Sequence, residues 1–166
     1  MKYNGFYFFM FKGSMKKVLA EKYGKQYATE IIKKSKKVYR ELVEKAEDIG
    51  DDNPMAYNEL FALAFVAPYV ASDKKIPPKT VQEMMRRSLY HIKWYFGRTD
   101  LNTEKGKAEN KKNSSYAEKL DVKELMPLFC ELDEVMITLQ HGVLHREQTL
   151  AAGGAYCDYY ITGNKE

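Results

Sequence analysis

Residues 125–161 read LMPLFCELDEVMITLQHGVLHREQTLAAGGAYCDYYI. Within this stretch the apolar period changes. From Leu128 to Leu139 the apolar residues recur at helical spacing, with Leu128, Leu132, Val135 and Leu139 on one stripe and Gly142 placed to end the helix. Past Gly142 the pattern alternates: VLHREQTL, then AAGG, then AYCDYYIT. That is the signature of two antiparallel strands around a turn in which glycines take up backbone angles that branched residues resist. A helix that hands over to a hairpin at its own end predicts an α+β fold.

Upstream, the periods are helical throughout. Ser14 is a candidate cap for a first helix ending near Tyr23, with Gly24 as a stop or bend. Gln26–Ile49 continues in helical period, its stripe drawn through Tyr27, Ile31, Val38, Leu42 and Ala46. Lys33, Lys34, Lys36 and Lys37 between them read as a solvated face. Pro54 suits the first turn of a third helix ending near Ala71. That helix is apolar nearly all round, and Pro68 is expected to kink it or end it early. A fourth runs from Pro78 to about Phe96 through Val81, Met84, Met85, Leu89, Ile92 and Phe96, and core packing is the default expectation for His91, Trp94 and Tyr95. Asp121 with Glu124 resembles a capping box, and Pro127 just beyond implies a short helical turn ahead of the main helix. The expected architecture is mostly α: a scaffold of four to six helices with a C-terminal antiparallel β-hairpin or small sheet.

Residues 1–14 read as an N-terminal extension, with Met15 the alternative start, and 15–166 as a single domain with a flexible polar connection at 98–119. The run Phe6–Phe11 is too short to span a bilayer and lacks the cleavage pattern of a signal peptide. Its aromatic surface is compatible with a homodimer. Two cysteines give neither a disulfide framework nor a zinc-type pair, which fits a reduced, cytoplasmic protein without a metal. Lysines occur along helices and in a single loop with no arginine-rich stripe or aromatic RNA-binding motif, so no nucleic-acid partner is expected, and with so short an apolar run no membrane partner is expected either.

Two hairpin registers give Cys157 different neighbours. A two- or four-residue loop sets Gln148 opposite Cys157 and Arg146 opposite Tyr159, so that the guanidinium reaches the thiol diagonally and favours thiolate. Asp158 then shares the other face with His145, Glu147 and Thr149. A three-residue loop shifts the pairing by one, joining Cys157 to His145 and Glu147 and turning Arg146 to Asp158. The plain alternative makes Cys157 a small buried hydrophobe and Arg146–Asp158 a surface ion pair. Cys130 has Asp133 and Glu134 along its side of the helix, and their charges would raise its thiol pKa. A packed cysteine is therefore the better reading of Cys130, and His141 reads as a cation at a helix C-terminus.

These residues resemble the L-2-amino-thiazoline-4-carboxylic acid hydrolase family. Its C-terminal motif, Pro–x–x–Cys–x–x–Asp, then Arg–x–x–Thr–Leu–Ala–x–Gly–Gly, then Cys–Asp–aromatic, is matched by Pro127, Cys130 and Asp133, by Arg146, Thr149, Leu150, Ala151, Gly153 and Gly154, and by Cys157, Asp158 and Tyr159. The stretches NPMAYNELFALAFVAPYVAS (53–72) and FGRTDLNTEKGKA (96–108) are similar too, though less specific. Family members usually carry a strand-rich stretch before the Pro–x–x–Cys helix, whereas here NKKNSSYAEKL (110–120) runs almost directly into Asp121.

The resemblance implies a cofactor-independent hydrolase for a small molecule, adding water to the ring carbon between sulfur and nitrogen of a cyclic isothiourea. The ring C–S bond then breaks to give N-carbamoyl-L-cysteine. Such chemistry needs a cation for the substrate carboxylate, a nucleophile or base, and an acid for the departing sulfur. The expected roles are Arg146 on the carboxylate, Cys157 as nucleophile or acid, and Asp158 and His145 in proton handling. Thr149, Gly153, Gly154, Cys130 and Asp133 would complete the binding surface. The competing class is a non-catalytic ligand-binding or helical interaction protein with a purely structural hairpin.

Overall fold

The computed structural model describes residues 4–46, 54–98, 100–104, 125–149, 152–155 and 158–165. Among them are five helices of 14 residues or more, one short helix, and a two-stranded antiparallel sheet, in line with the mostly α, α+β expectation. The chain divides into two compact units, Met1–Ser88 and Leu89–Glu166.

In the first unit, α1 (Phe6–Tyr23) and α2 (Lys25–Lys45) meet at Gly24, whose φ of 89° is readily adopted only by glycine. Helix α1 begins eight residues ahead of Ser14, which therefore lies inside it and caps nothing. The start is set by Asn4, whose Oδ1 accepts the Phe6 N–H at 2.9 Å. Packing holds the early turns: the Phe8 ring stacks on Tyr39 at 5.6 Å, and Phe11 meets Phe61 and Phe65 at 5.1 and 5.0 Å. The Tyr39 hydroxyl donates to the Asn4 carbonyl at 2.9 Å, closing the same corner.

The buried stripe of α2 is Ala28, Ile31, Ser35, Tyr39 and Val43, rotated from the expected one so that only Ile31 is common to both. Ser35 is tolerated inside because its hydroxyl donates back to the Ile31 carbonyl at 2.7 Å. Lys33, Lys34, Lys36 and Lys37 are exposed, as a solvated face requires.

Helix α3 (Pro54–Ala71) buries Leu60, Leu63 through Ala67, and Tyr69. It continues three residues past Pro68 instead of stopping there, and its end is made by Ser72, whose hydroxyl donates to the Tyr69 carbonyl and accepts the Ile76 N–H. Helix α4 (Pro78–His91) buries Val81, Met84, Met85 and Leu89 as its spacing predicts. Lys22–Glu83 at 2.8 Å fastens α4 to α1 at the surface.

In the second unit, the expected single helix to Phe96 is interrupted at Ile92, and α5 (Lys93–Phe96) is one turn. His91 is exposed and Trp94 is 62% exposed, with the Arg98 guanidinium 4.8 Å from its ring centroid. The core role expected of these two side chains is not what they have, and that of Tyr95 lies outside the described side chains. Helix α6 (Met126–Leu139) carries Pro127 in its first turn, where a missing N–H costs nothing. The capping box at Asp121 and Glu124 lies outside the described residues.

Helix α6 is followed directly by β1 (Gly142–His145), which pairs with β2 (Tyr160–Gly163). The left-handed residue between them is His141 (φ 60°), not Gly142 as the sequence suggests. Gly142 is needed for space: a Cβ there would stand 2.5 Å from Leu101 Cδ1 and 2.9 Å from Ile137 Cγ2. Leu101 is buried, its N–H donating to the Gln140 carbonyl at 3.0 Å. Asn102 donates to the His141 carbonyl and to Asn164, so the opening residues of the polar stretch are anchored to the base of the hairpin.

Candidate functional site

The hairpin pairs Gly142 with Gly163, Val143 with Thr162, Leu144 with Ile161 and His145 with Tyr160. Extended by one step, this register sets Arg146 opposite Tyr159, the arrangement expected of the two- or four-residue loop. The ladder stops short of that loop, however, at His145 and Tyr160. Beyond it the two chains are joined by a side chain. The Asp158 carboxylate accepts the Glu147 N–H on Oδ2 and the Gln148 N–H on Oδ1, both at 2.8 Å. Those two backbone donors hold the Asp158 carboxyl below its ordinary range.

Arg146 leaves the end of β1 and reaches α6. Its Nη2 donates to the Cys130 carbonyl at 2.6 Å, and its Nη1 donates to Asp133 Oδ2 at 3.2 Å. Cys130 and Asp133 are neighbours on α6 because residues three apart share a face. The Arg146 side chain is 16% exposed and that of Asp133 is 32% exposed. Burial dominates at Asp133, pushing its carboxyl up to about 6, with the Arg146 charge and hydrogen bond acting against the rise. Tyr159 lies in the same field. Its hydroxyl is pushed up to about 12, first by loss of water and next by the Asp133 charge, with Arg146 opposing. Tyr159 belongs to this cluster though the sequence reading gave it no role, and its place opposite Arg146 in the register was the available signal.

The remaining expected site residues are held elsewhere. The His145 imidazole lies 3.0 Å from Thr162 Oγ1 through Nε2 and 5.5 Å from the Tyr160 ring, so its contacts are along the hairpin. Thr149 is buried and closes a turn on itself. Its Oγ1 accepts the Ala152 N–H at 3.1 Å, and its carbonyl accepts the Ala152 and Gly154 N–H groups at 3.1 and 2.9 Å. Gly153 has φ 86°, and a Cβ at Gly154 would stand 2.9 Å from the Thr149 carbonyl oxygen. The two glycines thus have separate reasons, conformation for one and space for the other. Cys157, with Leu150, Ala151 and Tyr156, lies outside the described residues. Among the described residues no group of three His, Cys, Asp or Glu side chains stands close enough to hold a metal ion, and no helix is long and apolar enough to cross a membrane.

Chemically, the cluster offers a carboxyl group that changes charge near pH 6 beside a permanent cation. Groups poised in this way move protons or hold anions. What the fold defines is a mostly helical protein whose C-terminal hairpin is docked on one helix through an arginine–aspartate pair. Residues 114–161, which hold every member of that cluster, match the family model of L-2-amino-thiazoline-4-carboxylic acid hydrolase. The match is to the C-terminal segment of the chain, less than a third of its 166 residues. No curated protein and no solved structure matches the chain.

Proposed function

We propose that this protein is a hydrolase of small cyclic amidines or isothioureas, opening the ring by adding water across a C–S or C–N bond. The observation that carries this reading is that the family match coincides with the cluster of Cys130, Asp133, Arg146, Asp158 and Tyr159. On the thiazoline substrate, water oxygen bonds to the carbon between sulfur and nitrogen and becomes the carbonyl oxygen, one water proton goes to the ring nitrogen, the C–S bond breaks, and the sulfur leaves with the other proton as the thiol of N-carbamoyl-L-cysteine.

In this reading Arg146 receives the substrate carboxylate. A guanidinium has five N–H donors, and the Asp133 and Cys130 bonds use two of them. Cys157 acts as nucleophile or as the acid for departing sulfur, and Asp158 and His145 handle protons. Cys130, Asp133, Thr149, Gly153 and Gly154 shape the binding surface.

The test is product formation from L-2-amino-thiazoline-4-carboxylate, followed by NMR. Wild-type protein is expected to release N-carbamoyl-L-cysteine, Cys157→Ala to lose turnover, and Arg146→Gln to raise KM. Full turnover by the Cys157→Ala protein would remove that residue from the chemistry. One observation favours a second reading, a non-catalytic ligand-binding or interaction protein: Asp133, Arg146 and Asp158 all have partners within the hairpin and helix. That reading expects no turnover and alkylation of Cys157 only after unfolding.

A further inference from the structure

The charge of this chain is distributed unevenly. It holds 27 basic and 23 acidic residues, and its first 20 residues contain four lysines and no acidic residue, leaving 23 of each sign for the rest. The whole formal excess of +4 therefore sits in the first 20 residues. Helix α1 turns much of it outward. Its inner face is committed to the core through Phe8, Phe11, Met15, Val18 and Leu19. The opposite face shows Phe6, 59% exposed, and Phe9, 66% exposed, one turn apart, and then Lys12, Lys16 and Lys17, all exposed. Lys12 Nζ lies 4.1 Å from the Phe9 ring centroid, so aromatic and cationic groups form one continuous stripe.

We infer that α1 lays this stripe on an anionic lipid surface, the two phenylalanine rings entering the headgroup boundary and the lysines facing lipid phosphates and carboxylates. Two chemistries must be met together. Exposed rings gain from an apolar medium, and Lys12 and Lys16, with no acidic residue within four positions on their helix, gain from negative charge, while Glu21, four residues beyond Lys17, is paired with Arg87. An anionic bilayer surface supplies both. A second copy of this chain does so poorly, because a two-fold contact through this face opposes lysines to lysines. Contact of this kind needs no spanning segment. It is independent of the hydrolase reading, since none of the five residues belongs to the C-terminal cluster.

The experiment is co-sedimentation of the full chain with vesicles of phosphatidylcholine alone and of phosphatidylcholine rich in phosphatidylserine. Wild-type protein is expected to bind the anionic vesicles about tenfold or more better than the neutral ones, and to be released by raised salt. Phe6→Ser with Phe9→Ser, and separately Lys12→Glu with Lys16→Glu, should each weaken anionic binding about tenfold or more. All four side chains are exposed, and a thermal melt checks that each variant folds. Equal binding to both vesicle types, or variants that bind as wild type does, overturns the inference. So does self-association in light scattering that the Phe6→Ser, Phe9→Ser variant abolishes while no vesicle binding is found.

Discussion

Asp133 is where the C-terminal cluster is most finely balanced. Burial raises its carboxyl from an ordinary 3.8 to about 6 even with the Arg146 guanidinium beside it. Between those two values the folded protein holds a proton that the unfolded chain has given up. Asp133 therefore contributes most to stability at low pH, and its contribution declines as pH rises through this window. Asp158, Glu83 and Asp100 have the opposite slope, because hydrogen bonds or ion pairs hold their carboxyls low. The informative quantity is thus the melting temperature of Asp133→Asn minus that of wild type. It should become more positive as pH is raised from below 3.8 to above 6, since the amide removes the desolvation cost but does not titrate. A flat difference would mean that the carboxyl does not titrate in this window. Part of this was legible in the sequence, because Cys130 and Asp133 stand one turn apart wherever a helix forms. That Arg146 would be their partner was not legible. It depends on His141 adopting a left-handed backbone that turns β1 away from the end of α6.

At the scale of elements, boundaries were readable where one residue type decides them. Pro54 opens α3, Gly24 separates α1 from α2, and Pro78 opens α4, as their backbone chemistry demands. Errors came where tertiary partners decide. The early start of α1 depends on rings from α2 and α3, and the rotated stripe of α2 depends on Tyr39 stacking on Phe8 of α1, with Ser35 tolerated inside because it bonds back to its own helix. The hairpin register was one of two readable alternatives. Its length was not readable, because an aspartate side chain takes over from the ladder. The junction between α6 and β1 gives a sharp test. Gly142→Ala puts a methyl 2.5 Å from Leu101 Cδ1, 2.9 Å from Ile137 Cγ2 and 3.2 Å from the Thr162 carbonyl oxygen. Overpacking of this kind costs about 1–3 kcal/mol. Gly13→Ala is the matched control: it sits inside α1 with nothing within 4 Å of the new methyl, so it should gain about 0.4–1 kcal/mol. Urea titrations of both variants should move in opposite directions. A Gly142→Ala protein as stable as wild type would show that the crowded corner relaxes freely.

For the whole molecule, the two units differ in what holds them. The first is built on three long helices around large buried side chains, among them Phe11, Tyr39, Phe65 and Met15. The second carries the segment that matches the family model on one long helix and two strands of four residues, and a two-stranded ladder has little stability of its own. Cooperative opening should therefore be most costly in α1–α3 and least costly in β1–β2. Phe11→Ala tests this division. The ring is fully buried between Phe61 and Phe65, and its removal should cost about 3–5 kcal/mol in the first unit. Hydrogen exchange followed by mass spectrometry should then show faster exchange of α1–α3 amides in the variant. The amides of Val143–His145 and Tyr160–Thr162, which already exchange through local opening, should keep their wild-type rates. If the hairpin amides accelerate together with the helices, the stability of the hairpin is drawn from the helical core, and the activity proposed for the C-terminal segment would fall with Phe11.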